Sequence, residues 1–88
     1  MQKKILEDVT KIFEESLFRD LSSCKEPMKE NIFGNNIALL PAEAYFLMVK
    51  LEKHFDISFP DDVIFDYKFQ FIGEIVGEIE KCLHEKDK

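Results

Sequence analysis

The sequence predicts an all-α protein: a bundle of three main helices plus one short helix, with a long first loop. Apolar residues recur at helical spacing in three stretches, and no stretch alternates with the period of two that a strand requires. Pro41 and Pro60 stand where the middle helix would start and where the chain would break after it. At 88 residues, one domain spanning 1–88 is the economical reading.

The first helix is expected from Lys3 to Leu21, where Ile5, Leu6, Val9, Ile12, Phe13, Leu17 and Leu21 keep a 3.6-residue spacing with charges between them. Ser22 to Asn36 carries a Ser pair, a Pro, a Gly and paired Asn, and reads as a long loop with a short turn at "EPMKENIF". A loop of that length in a small domain must lie on the core, which assigns Met28, Ile32, Phe33, Ile37 and Leu39 as its pins. The second helix starts at Pro41, whose fixed φ suits the first helical position, and runs to about His54. "DDVIFD" reads as one short helical turn with Asp61 or Asp62 near its N-terminus. The last helix carries Phe71, Ile72, Ile75, Val76, Ile79 and Leu83, and "HEKDK" reads as a frayed, solvated tail.

The composition is 45% hydrophobic with nine Phe, enough for the well-filled core so short a chain needs. A net charge of −6 argues against nucleic acid, which requires clustered Lys and Arg, and favours basic partner surfaces. "MQKKILEDVTKIF" has charges inside what would be the apolar part of an export signal, and no apolar run reaches membrane-spanning length. A cytoplasmic protein with Cys24 and Cys82 as free thiols, and no membrane association, is therefore expected.

Catalytic and metal-binding patterns are weak. His54, His84, Cys24 and Cys82 lack the close intervals of a zinc site. "DISFPDDVIFD" has Pro60 in its middle and no loop Gly, so it fails as a calcium loop. Gly73 and Gly77 allow a close backbone approach to the last helix, with packing of the first loop or first helix as the reason. No Ser–His or Cys–His pair stands in a pocket-forming context, so neither an enzyme nor a metal or cofactor is expected.

Between Leu39 and Asp61 the residues carry a resemblance. Leu51, Glu52, Phe55, Asp56, Ile57, Phe59, Pro60 and Asp61 follow the order seen at the end of the second helix of the acyl carrier protein family and the turn after it. The order of helices is similar too. In that family an Asp-Ser-Leu triplet opens the second helix, and its serine carries 4'-phosphopantetheine. Here the triplet falls on Leu40-Pro41-Ala42, so Pro41 occupies the serine position, and no Ser or Thr occurs from Cys24 to Ile57. The chain resembles the acyl carrier-related proteins of bacterial peptide maturation systems, which look like carriers but lack the modified serine. The resemblance implies a protein-docking module for a biosynthetic or peptide-modifying enzyme.

A second apolar stripe supports a partner. Ala44, Leu47, Met48, Leu51 and Phe55 share the core side of the second helix, with Glu43, Lys50 and His54 in a polar stripe. Ala42, Tyr45, Phe46 and Val49 fall on a separate side flanked by Glu52 and Lys53, a candidate partner-binding surface. Family members usually place an acid at the position of Phe46 and have a more acidic second helix, whereas this one has Lys50 and Lys53; a partner would read shape and apolar area more than charge. Burial of Tyr45 and Phe46 under the first loop is the bland reading and stands ahead of the partner surface, with scattered exposure as a third. Two other functions stay open: a working carrier modified at Ser58 or Ser22, and a small subunit that homodimerises through the second helix.

Overall fold

The computed structural model describes residues 2–22, 24–61 and 70–86, which form three α-helices. These are α1 (Gln2–Leu17), α2 (Pro41–Phe55) and α3 (Ile72–Lys86), with a 3-10 helix (Pro27–Lys29) inside the first loop. Among the described residues, strand-like pairing is confined to one isolated antiparallel bridge between Asn31 and Phe71. Beyond Asp61, the short turn expected at "DDVIFD" lies outside the described residues, as do Phe65 and Phe69.

Helix α1 buries Ile5, Val9, Ile12, Phe13 and Leu17, the periodic positions of its sequence. It ends four residues before the expected Leu21, because Phe18 takes a left-handed conformation (φ 56°). Arg19 makes that ending possible. Its backbone N–H donates to the Phe13 carbonyl (2.9 Å) and its Nη1 to the Leu17 carbonyl (2.9 Å), satisfying acceptors a helix end leaves open. Leu21 is still buried, but from the loop.

The loop is pinned as its sequence suggests: Ile32, Ile37 and Leu39 are buried, and Met28 and Phe33 pack against the core. It also docks on the start of α3, through Ile32 N–H to the Gln70 carbonyl (2.8 Å) and Ile72 N–H to the Glu30 carbonyl (3.0 Å). Gly73 permits this approach, since a Cβ there would stand 2.7 Å from the Met28 carbonyl oxygen. Gly77 has no such neighbour within 4 Å and needs no packing explanation.

Pro41 is the first residue of α2, where a missing N–H costs nothing. Neither α2 nor α3 has an oxygen-bearing residue at its N-cap. A glutamate in the first turn reaches back instead: Glu43 Oε1 accepts from Leu40 N–H (3.0 Å), and Glu74 Oε1 from Phe71 N–H (3.2 Å). Helix α2 leaves through Asp56 in the left-handed region (φ 54°), and the Glu52 carbonyl accepts from both Asp56 and Ile57 N–H groups. The helices α1 and α2 are antiparallel neighbours, joined by Arg19–Glu43 (3.0 Å) at one end and Asp8–His54 (3.5 Å) at the other.

Two expectations about α3 are corrected. Phe71 precedes the helix and is 45% exposed, because it serves in the bridge to Asn31 rather than on the buried face of Ile72, Ile75, Val76 and Ile79. His84 to Lys86 are solvated but helical, not frayed. Lys86 Nζ donates to the carbonyl (3.1 Å) and carboxylate (2.7 Å) of Asp56, which ties down the last turn. That pair holds the Asp56 carboxyl below the usual range, chiefly by the hydrogen bond and then by the lysine charge. Its contribution is complete above the ordinary carboxylate pKa and is lost as pH falls through the lowered one.

Every fully buried side chain among the described residues is apolar. With the carbonyl of Met28 so close, Gly73→Ala overpacks the loop and is expected to cost about 1–3 kcal/mol. Gly77→Ala should instead gain about 0.5–1 kcal/mol, by helix propensity. Thermal melts of the two variants should move in opposite directions. Arg19→Lys, which cannot span three acceptors, is expected to lower stability by about 1–3 kcal/mol in denaturant titrations.

Candidate docking surface on the second helix

Helix α2 is buried on one side and exposed on the other. Ala44, Leu47, Met48 and Leu51 are fully buried at its core face, and Phe55 is half-buried against the same core. On the opposite side Ala42 is exposed, Val49 half-buried, and Tyr45 and Phe46 are each 44% exposed. The first loop is engaged with the core and with α3, and both aromatics stay part-exposed. The structure therefore brings Ala42, Tyr45, Phe46 and Val49 together on one outward face.

The charged flanks divide. Lys53 is exposed and lines a shallow crevice between α1 and α2 with Ile12, Glu15, Ser16, Lys50 and His54. Lys50 Nζ sits 5.7 Å from the centre of the Phe46 ring, a cation–π contact that keeps the ammonium beside the apolar stripe. Glu52 is placed otherwise. Its carboxylate turns into the exit of α2 and accepts from Phe59 N–H at 2.7 Å, so it is a structural group rather than a flank of the face.

The apolar surface continues past the residues picked from sequence. Leu40 is 64% exposed at the N-cap of α2, and Phe18 is 85% exposed at the end of α1. The same node places both at one end of the bundle: Glu43 Oε1 accepts from Leu40 N–H and from Nη2 of Arg19, the neighbour of Phe18. Phe18 was detectable as an aromatic off the helical period of α1. Leu40 carried no such signal, since an apolar residue before Pro41 reads equally well as core.

A cleft of about 510 Å³ lies elsewhere, at the C-terminal ends of α2 and α3, and is lined by Asp56, Ile57, Ser58, Cys82, Glu85 and Lys86. Burial pushes the Cys82 thiol up, and the neighbouring Glu78 and Glu85 carboxylates add to the shift. Asp56 is held by Lys86. Ser58 is exposed in the turn, with its carbonyl 3.8 Å from Cys82 Sγ. Both cysteines are unpaired thiols. Among the described residues no three His, Cys, Asp or Glu side chains gather as metal ligands, and no helix is long and apolar enough to cross a membrane.

No protein-family model, curated protein or solved structure matches this chain.

The exposed stripe can be changed without touching the core. Phe46→Glu with Val49→Glu should keep helicity, and stability within about 0.5 kcal/mol per site, as for ordinary surface substitutions. Leu47→Ala, on the buried side, should cost about 2–5 kcal/mol. Circular dichroism melts of the two variants test the division of α2 into two faces.

Proposed function

We propose that this chain is a non-enzymatic, acyl carrier-related docking module that presents the outer face of α2 to a biosynthetic or peptide-modifying enzyme. The observation that carries the reading is the outward stripe of exposed Tyr45 and Phe46 beside half-buried Val49, which starts at a helix N-terminus with no hydroxyl to modify. Supporting it are the order of the helices, the pinned first loop and the turn from Phe55 to Asp61, all features similar to the carrier family.

The residues at the start of α2 do not fit a phosphopantetheine arm. Leu40, Pro41 and Ala42 are all exposed there, and none carries an oxygen nucleophile. Ser22 stands at the other end of the first loop along the chain, with its N–H taken by the Asp20 carboxylate at 2.8 Å, and Ser58 follows α2 instead of opening it. Phe59 is buried and Phe55 half-buried, so aromatic bulk occupies part of the interior that a loaded carrier would need for an acyl chain.

Intact mass after incubation with coenzyme A and a broad-specificity phosphopantetheinyl transferase is expected to stay unchanged. Pro41→Ser is expected to stay largely unmodified as well, because Leu40 and Ala42 also depart from the triplet. A gain of one phosphopantetheine on the unaltered chain would make it a carrier, and peptide mapping would then decide between Ser58 and Ser22.

A further inference from the structure

The outer face of α2 is basic on an acidic chain. Helix α2 has two acids, Glu43 and Glu52, and both are used inside the domain. Glu43 is held by Arg19 and by Leu40 N–H, and Glu52 by Phe59 N–H. Its two lysines are left over. Among the described residues no carboxylate lies within salt-bridge distance of Lys50 or Lys53, as is also true of Lys3, Lys11, Lys25 and Lys81, whereas Lys4, Arg19, Lys29 and Lys86 are paired. Glu15 lines the same crevice as the two lysines without forming an ion pair with either. Among the described residues, the two lysines outnumber Glu15 as unpaired charges beside the apolar stripe, although the net charge is −6.

This arrangement disfavours a second copy as the occupant. In a two-fold pairing with parallel helices, Lys50 and Lys53 would face their own equivalents. With antiparallel helices they would approach the N-terminus of the other α2, the positive end of its dipole. Either way like charges meet beside the apolar contact. A segment of opposite sign meets no such conflict.

We infer that the outer face of α2 binds an acidic amphipathic helix of its partner. The apolar side chains of that helix would sit on Tyr45, Phe46 and Val49, and its carboxylates would reach Lys50 and Lys53. This rests on the docking reading above and adds the partner's chemistry to it. The opposite preference is what the net charge alone would produce, since an overall negative field attracts basic peptides.

Two fluorescent synthetic helical peptides with one shared Leu/Phe face, flanked by Glu in one and by Lys in the other, separate these possibilities. Anisotropy titrations with the full chain at low salt should show the Glu peptide binding about tenfold tighter or better, which corresponds to about 1.4 kcal/mol. The double variant Lys50→Glu, Lys53→Glu should reverse the order, and Phe46→Ser should weaken both. Equal or tighter binding of the Lys peptide, still lost on Phe46→Ser, would overturn the acidic partner while leaving the docking face standing. Binding of neither peptide would sink the docking face itself. Sedimentation showing a dimer that Phe46→Ser dissolves would replace the partner helix by a second copy.

Discussion

The Arg19 guanidinium stands where three chain segments meet, and much of the architecture depends on how it is shared. Nη1 donates to the Leu17 carbonyl, Nε to the Ile37 carbonyl, and Nη2 to Glu43, each within 3.0 Å. One side chain therefore closes α1, fastens the far end of the loop and holds the glutamate that caps α2. Its charge makes these bonds stronger than neutral ones, and its planar fork lets them diverge without strain. The cost is local: Phe18, with a bulky side chain, must sit at positive φ with its ring in water. That strain is tolerated because the surrounding contacts fix it.

From this node the exposed face of α2 follows. Glu43 is engaged at the first turn and Glu52 at the last, so the helix has its acids turned to structural work at both ends. The loop is committed to the core by Ile32, Ile37 and Leu39 and to α3 by its approach to Gly73, and Tyr45 and Phe46 stay part-exposed. The apolar area on α2 is thus a consequence of where the rest of the chain is held. In a small domain, aromatic area facing water is a cost to solubility, and this is what motivates the proposed partner surface.

Much of the architecture was legible in the sequence because it rests on periodicity. The core faces of α1 and α2 follow from spacing alone, as does the use of Pro41 to open α2, and the loop pins follow from the scarcity of apolar residues between helices. What could not be read depends on contacts distant in sequence. No Gly or Asn marks the end of α1, which is set by Arg19 reaching partners up to 24 residues away. Phe71 fits the apolar period of α3, yet it stands before the helix with its N–H on Glu74, while its neighbours Gln70 and Ile72 bond the loop on either side of Asn31. Glu52 and Lys53 look alike as flanks of the stripe, and only the turn at Phe59 tells them apart. Of the candidate site, the stripe was visible in the pattern and Phe18 stood off the helical period of α1, while the exposure of Leu40 left no mark in the sequence.

The most direct test of the central claim, that α2 offers an exposed apolar face in the isolated chain, is solvent paramagnetic relaxation enhancement of side-chain NMR signals. With a soluble, uncharged paramagnetic agent, the Phe46 ring and the Leu40 methyls should be attenuated strongly, while the buried Val9 and Val76 methyls should be nearly untouched. Attenuation of Phe46 as weak as that of Val76 would mean that the face is covered, and the account of α2 as a docking surface would be wrong.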